Sequence, residues 1–250
     1  MLRVLVLGPV EVEVDGRPVS IGGPRARSVL TALVIGLRHA VSDGRLMQAA
    51  WGDDPPRTAR ASLQSHISRL RALLGDDVVL RQDHSYVLEL DPSQVDACVF
   101  ERSYRHAAEL LHRNPVEALE LCREALQLWR GPPFGELFDV EFARPEGVRL
   151  EELRINAMEL FLEATISSGM PGLVVPALRA AVADHPYREK LWFLLMQALA
   201  HEGRRVEALR SFQEARLVLG EAGLEPTIDL RQLEQQIHDE DASVRPHLLS

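Results

Sequence analysis

The chain has 250 residues, 46% hydrophobic and 26% charged, enough for one large globular domain or two modest ones and too apolar for a disordered chain. A formal net charge of −9 argues, taken as a sum, against a nucleic-acid partner, and no apolar run approaches the roughly 18 residues a membrane span needs. Cys98 and Cys122, separated by 23 residues, exclude a cysteine-rich zinc site and leave no disulfide framework. Both lie in apolar-periodic segments and read as buried thiols, and the expected compartment is the cytoplasm.

Residues 2–21 read as short strands. Val4, Val6, Val10, Val12 and Val14 alternate with other residues, and Asp15-Gly16 is a hairpin turn signal. The opening apolar run is too short for a signal peptide and meets Gly8-Pro9. Gly22-Gly23-Pro24 starts a helix that is expected to run to about His39, with Val29, Leu30, Leu33, Val34 and Leu37 at helical spacing. A second helix fits Asp43 to Trp51, capped by Ser42. A third runs from Thr58, its expected N-cap, to Leu74, and Gly75 ends it. Val78–Gln82, the turn Asp83-His84-Ser85 and Tyr86–Leu90 then form a terminal hairpin.

Asp91-Pro92 breaks this pattern. Beyond it the chain reads as helices over about 95–113, 115–130, 145–169, 172–185, 187–202, 205–220 and 227–238. Paired helices with short Gly and Pro breaks suggest a helical repeat. Trp192, Leu195, Gly203, Ala208, Phe212 and Ala215 fit the TPR spacing in one repeat; the other pairs fit loosely. The expected architecture is an α+β winged helix-turn-helix over 1–92 followed by an all-α, TPR-like domain over 93–250.

Charge is unevenly spread. Residues 1–100 hold 11 Arg against 12 Asp and Glu, and the rest hold 17 basic residues against 25 acidic ones. Pro55 to Gly75 has no acid but carries Arg57, Arg60, Arg69 and Arg71, a local patch of the kind phosphate contact requires. On a wheel of the third helix, Leu63, Ile67, Leu70 and Leu74 form one stripe. The opposite face carries Ala61, Ser65, Ser68, Arg69 and Ala72, mostly small. Arg60, Gln64 and Arg71 flank one side, with Ser62, His66 and Arg69 on the other.

The wheel alone fits a solvated face as well as a DNA-reading one. The missing carboxylates and the order helix, helix, hairpin favour DNA. The B-DNA major groove admits one α-helix, where Arg69 can reach guanine O6 and N7 and Gln64 adenine N6 and N7. Arg60, His66 and Arg71 would then sit over phosphates, which fix position, while base contacts specify sequence.

Several stretches carry a family resemblance. In the first half they are Leu7-Gly8-Pro9-Val10-Glu11-Val12, Gly22-Gly23-Pro24-Arg25-Ala26-Arg27, Arg45-Leu46, Trp51-Gly52-Asp53-Asp54-Pro55-Pro56, and Ala61 through Arg71. In the second half they are Leu128-Trp129-Arg130-Gly131-Pro132-Pro133, Arg149 through Arg154, His185 through Leu191, and Gly223-Leu224-Glu225-Pro226. Together they make the chain resemble the Streptomyces antibiotic regulatory proteins. These join an OmpR-type DNA-binding half to a bacterial transcriptional activator domain.

The resemblance implies an activator that binds promoter direct repeats, two protomers on successive repeats, and recruits RNA polymerase through its sigma factor. It places Gln64, Ser65, Ser68 and Arg69 toward bases and His66 and Arg71 toward phosphate. Thr58 and Arg60 complete the helix set, and Arg81, Gln82 and His84 are the wing candidates. Ser85 stands where the family usually has Gly before Tyr, which predicts a different wing turn. Larger members append an ATPase or a phosphopeptide-binding domain, and this chain is expected to carry neither, nor a receiver domain.

Other features point away from chemistry. Trp51 and Trp129 read as core residues. The nine histidines form no zincin pattern, and there is no phosphate loop or nucleophile elbow, so neither a metal, a cofactor nor an enzyme is expected. The rival reading is a helical-repeat adaptor whose small head no longer reads DNA, binding a protein partner instead.

Overall fold

In the computed structural model, backbone is described for residues 2–244 and side chains for residues 2–239. Asp15 and Gly16 both take left-handed backbone, φ 51° and 73°, the pair of positive values that a two-residue type I′ turn requires. The turn joins β2 (Glu11–Val14) to β3 (Arg17–Val19), and β1 (Leu2–Leu5) pairs antiparallel with β2, Val4 opposite Val12. The valine alternation sends Val4 and Val12 into the core.

α1 (Pro24–Ile35) stops short of His39. Arg38 turns left-handed at φ 61°, and its N–H donates to the Leu88 carbonyl at 3.0 Å. A wheel contains no such tertiary bond, so the sequence reading overran. α2 spans Asp43–Trp51 as expected, with the Ser42 hydroxyl accepting from the Arg45 N–H at 3.2 Å. α3 (Ala59–Leu74) buries Leu63, Ile67, Leu70 and Leu74. Thr58 occupies the N-cap position, but its side chain makes no capping bond; the Ala59 N–H bonds the Pro56 carbonyl instead, at 2.8 Å.

The second sheet is ordered β4-β6-β5, from β4 (Val41–Ser42), β5 (Val79–Gln82) and β6 (Ser85–Leu88). β4 is too short to announce itself by alternation. Ser85 lies within β6 opposite Gln82, and Asp83, at φ 49°, takes the left-handed position of the turn. Asp tolerates that region better than most residues, so the wing turns without a glycine at 85.

By packing, the chain forms two compact units, one of residues up to Arg105 with Arg123–Asn156, the other of His106–Cys122 with residues from Ala157 onward. The helices α4 (Asp96–Leu110), α5 (Pro115–Leu126) and α6 (Arg144–Ser167) each contribute residues to both. The 92/93 boundary read from sequence follows the change in pattern, whereas packing follows contacts. In the first unit Asp96 explains why the head and the following segment are grouped. Its side chain, 1% exposed, accepts from the Val6, Leu7 and Ala97 N–H groups at 2.8, 3.1 and 2.8 Å.

The loop after α5 adds to this joint. Arg130 N–H donates to the Leu7 carbonyl and Phe134 N–H to the Val6 carbonyl, both at 2.7 Å. Gly8 is required there: at φ +148°, a Cβ would lie 2.8 Å from the Arg130 Cβ. Trp129 is half-buried, edge-on to Phe100 at 5.3 Å with the Arg154 guanidinium 4.8 Å from its centroid. Cys98, expected to be buried, is half-buried, because its position on α4 lies at the edge of the buried stripe.

The second unit contains α7 (Pro171–Asp184), α8 (Glu189–His201), α9 (Arg205–Glu221) and α10 (Ile228–Val244). The TPR-spaced residues meet as the spacing predicts: Trp192, Leu195, Ala208, Phe212 and Ala215 share one core, and Gly203 turns the chain at φ 71°. Alanines at 208 and 215 let the bulky side chains of α8 close on α9. The Trp192 indole N–H, which burial would otherwise orphan, donates to the Pro186 carbonyl at 2.9 Å. Among the described residues no helix is long and apolar enough to cross a membrane.

Candidate nucleic-acid interface

Burial of one stripe of α3 exposes its opposite face. Ala61, Gln64, Ser65, Ser68, Arg69 and Ala72 are all exposed, and none is acidic. Four of the six are short. The Ser65 hydroxyl folds back onto the Ala61 carbonyl at 3.1 Å, so the ridge stays low and Gln64 and Arg69 are the long side chains that project from it. Arg69 has no ion-pair partner among the described residues. Thr58 is exposed at the start of the helix.

The other arginines of the sequence-derived set are engaged within the fold. Arg81 on β5 makes a bidentate pair with Asp43, NH1 to Oδ1 at 2.9 Å and NH2 to Oδ2 at 3.0 Å, donates Nε–H to the Asp83 carbonyl at 2.7 Å, and lies over Tyr86 at 4.5 Å. Arg60 approaches the same Asp43 carboxylate at 3.6 Å. Arg71 is half-buried, donating Nε–H to the Val79 carbonyl at 2.7 Å, with its guanidinium 6.0 Å from the Tyr86 centroid. Gln82 and His84 are exposed at the wing tip; the His84 carbonyl accepts the Asp43 N–H at 2.8 Å.

Asp43 is therefore the hub that ties α2 and α3 to the wing, and the sequence reading missed it. Its side chain is 8% exposed. A carboxylate so buried is tolerated because it is paired and hydrogen-bonded. Its partners lie 17 and 38 positions away in sequence, so no local pattern marks it. A second acid, Asp76, lines the groove between α3 and the wing together with Gln64, Ser68, Arg71 and Tyr86. The acid-free stretch read from sequence ends one residue before it.

His66 is half-buried, its ring 6.0 Å from that of Trp51 and tilted by 42°. Burial first, then the positive charges of Arg69 and Arg25, hold its imidazole below the ordinary value, which favours the neutral ring. Its Nδ1 is buried with no hydrogen-bond partner among the described residues. Trp51, expected in the core, is half-buried instead; it stands between His66 and the Arg25 guanidinium, which is 5.7 Å from the indole centroid.

Similarity to known proteins covers two stretches of the chain. Residues 16–88 match the family described as transcriptional regulatory protein, C terminal, and residues 95–238 match the bacterial transcriptional activator domain. The chain is 34% identical to the regulatory protein AfsR of Streptomyces coelicolor over 97% of its own length, and spans 25% of that protein. It is 30% identical to the regulatory protein DnrI of Streptomyces peucetius, covering 97% of this chain and 94% of DnrI. The solved structure of Mycobacterium tuberculosis EmbR, in complex with a low-affinity phosphopeptide, superposes with a TM-score of 0.90 at 32% identity, over 96% of this chain and 65% of that one.

Proposed function

The chain belongs to the Streptomyces antibiotic regulatory protein family of transcriptional regulators, and from that premise we propose that it is a sequence-specific DNA-binding activator of genes for an antibiotic or related secondary metabolite. The observation that carries this reading is the exposed, acid-free ridge of α3, with Gln64 and Arg69 standing above short neighbours. Such a ridge fits the major groove, where Arg69 pairs with a guanine and Gln64 with an adenine. Ser65 and Ser68 allow close approach.

Thr58, Arg60 and His66 sit at the flanks of that helix and meet phosphates. Gln82 and His84 reach the backbone from the wing. Arg71 and Arg81 act chiefly by holding the wing against α3, through Val79 and Asp43, and touch DNA only with the donors left over. Two protomers occupy successive direct repeats on one face of the duplex, and the bound protein recruits RNA polymerase with its sigma factor. The protein then works in the cytoplasm, on the nucleoid when bound. It carries out no reaction of its own.

Footprinting of the full chain on promoters beside its gene, followed by transcription with purified polymerase holoenzyme, tests this. Protected direct repeats and increased transcript are the expected result. Protein-partner binding without any salt-dependent shift of promoter DNA would favour the adaptor alternative.

A further inference from the structure

Beside the ridge, Arg25 is a further cation without an internal counter-charge among the described residues. It stands in α1 and is exposed. Its guanidinium rests over Trp51, at the end of α2, at 5.7 Å, and Trp51 in turn meets the ring of His66 on α3 at 6.0 Å. Arg69, also without a carboxylate partner, lies on the same α3 close enough to His66 for its charge to act on the ring. Three helices thus converge on one spot, where the Arg25 guanidinium, the Trp51 indole and the His66 imidazole lie beside the base-reading Arg69. Arg27, two residues from Arg25, is by contrast paired with Glu136 at 2.7 Å.

An aromatic shelf restrains a guanidinium without neutralising it. Arg25 is thus biased toward the indole with its donors still exposed, which suits bidentate binding of a phosphate. Arg25 stands on α1, not on α3, and reaches the recognition helix only by way of Trp51 and His66, so it lies at the flank of the ridge.

We propose that Arg25, seated on Trp51, is a DNA-backbone contact that clamps one phosphate at the flank of α3 away from the wing. This rests on the DNA-binding reading above. The clamp completes a three-point grip of ridge, wing and α1 side chain, and it adds affinity without adding sequence preference.

The test is DNA binding by the full chain at several salt concentrations, with promoter and random duplexes, comparing wild type with Arg25→Ala and Arg25→Lys. Arg231→Ala, an exposed charge on α10, controls for net charge. Arg25→Ala should weaken both duplexes alike, by about tenfold for a charged hydrogen bond lost, and reduce the slope of log affinity against log salt by about 0.9. Arg25→Lys should recover the slope, and Arg231→Ala should not change it. If Arg25→Ala keeps the wild-type slope and affinity, or weakens one duplex selectively, the clamp is wrong while the DNA-binding reading stands. If wild type itself shows no salt-dependent binding, the underlying reading fails first.

Discussion

Replacing Asp43 by Asn keeps the shape of the hub and removes its charge. The carboxylate, 8% exposed, holds Arg81 with two short bonds and Arg60 at 3.6 Å. A hydrogen bond to a charged group contributes about 1.5–3 kcal/mol. Arg81 and Arg60 are 37% and 65% exposed, and solvent screening puts the whole hub near the low end, about 2 kcal/mol. An Asn amide adds a donor facing guanidinium donors, so little is recovered.

Urea unfolding of wild type, Asp43→Asn, Arg81→Ala and the double variant forms a cycle. It should give a coupling of about 1–2 kcal/mol, well above the few tenths expected of independent sites. Hydrogen exchange should show the Asp43 amide, bonded to the His84 carbonyl, losing protection in Asp43→Asn, because the wing loosens. Additive singles, with that amide still protected, would refute the hub as the element that positions the wing.

Arg69→Ala should lower affinity for the preferred operator by about 1–3 kcal/mol and relax choice at one base pair, whereas Arg71→Ala, losing its bond to Val79, should lower unfolding stability by about 1 kcal/mol; binding and urea curves on both variants check this. Asp96→Ala orphans three buried N–H groups and should cost about 3 kcal/mol or more. Burial, partly offset by those bonds and by Arg130, holds the Asp96 carboxyl above the ordinary Asp value of 3.8. The folded state then binds the proton more readily than the unfolded one, so the stability of wild type relative to Asp96→Asn should fall as pH rises from about 3.8 through the raised value; urea midpoints across that range read it, and a rise would contradict the sign. Phe212→Ala, in the core of the second unit, should cost about 3–5 kcal/mol in unfolding by urea.

What sequence could supply depended on range. The bounds of α2 were readable because Ser42 and Asp43 specify its start locally, and the buried stripe of α3 because Leu63, Ile67, Leu70 and Leu74 repeat with the helix period. The Trp192 to Ala215 pairing was readable because small and large residues alternate between neighbouring helices. α1 was overrun because Arg38 bonds Leu88, 50 residues on. Ser85 announces a changed wing turn, but that Asp83 takes the left-handed position is not marked by the sequence.

The candidate site divides in the same way. Exposure of Gln64 and Arg69 follows from the wheel, but the internal use of Arg60, Arg71 and Arg81 does not, since Asp43 and Tyr86 come from other elements. Trp51 beside Gly52 looks like a core residue by composition. Only the approach of Arg25 and His66 from two other helices makes it a shelf.

The claim on which the rest depends is that the α3 ridge lies in the major groove and that Arg69 reads a guanine there. Dimethyl sulfate protection, which reports guanine N7 in that groove, is the most direct probe when run with wild type and Arg69→Ala at saturating protein. The account predicts one guanine in each repeat that wild type shields and Arg69→Ala leaves open, with the backbone footprint of both proteins the same. Identical guanine protection by the two proteins, or none by wild type on DNA it occupies, would contradict it.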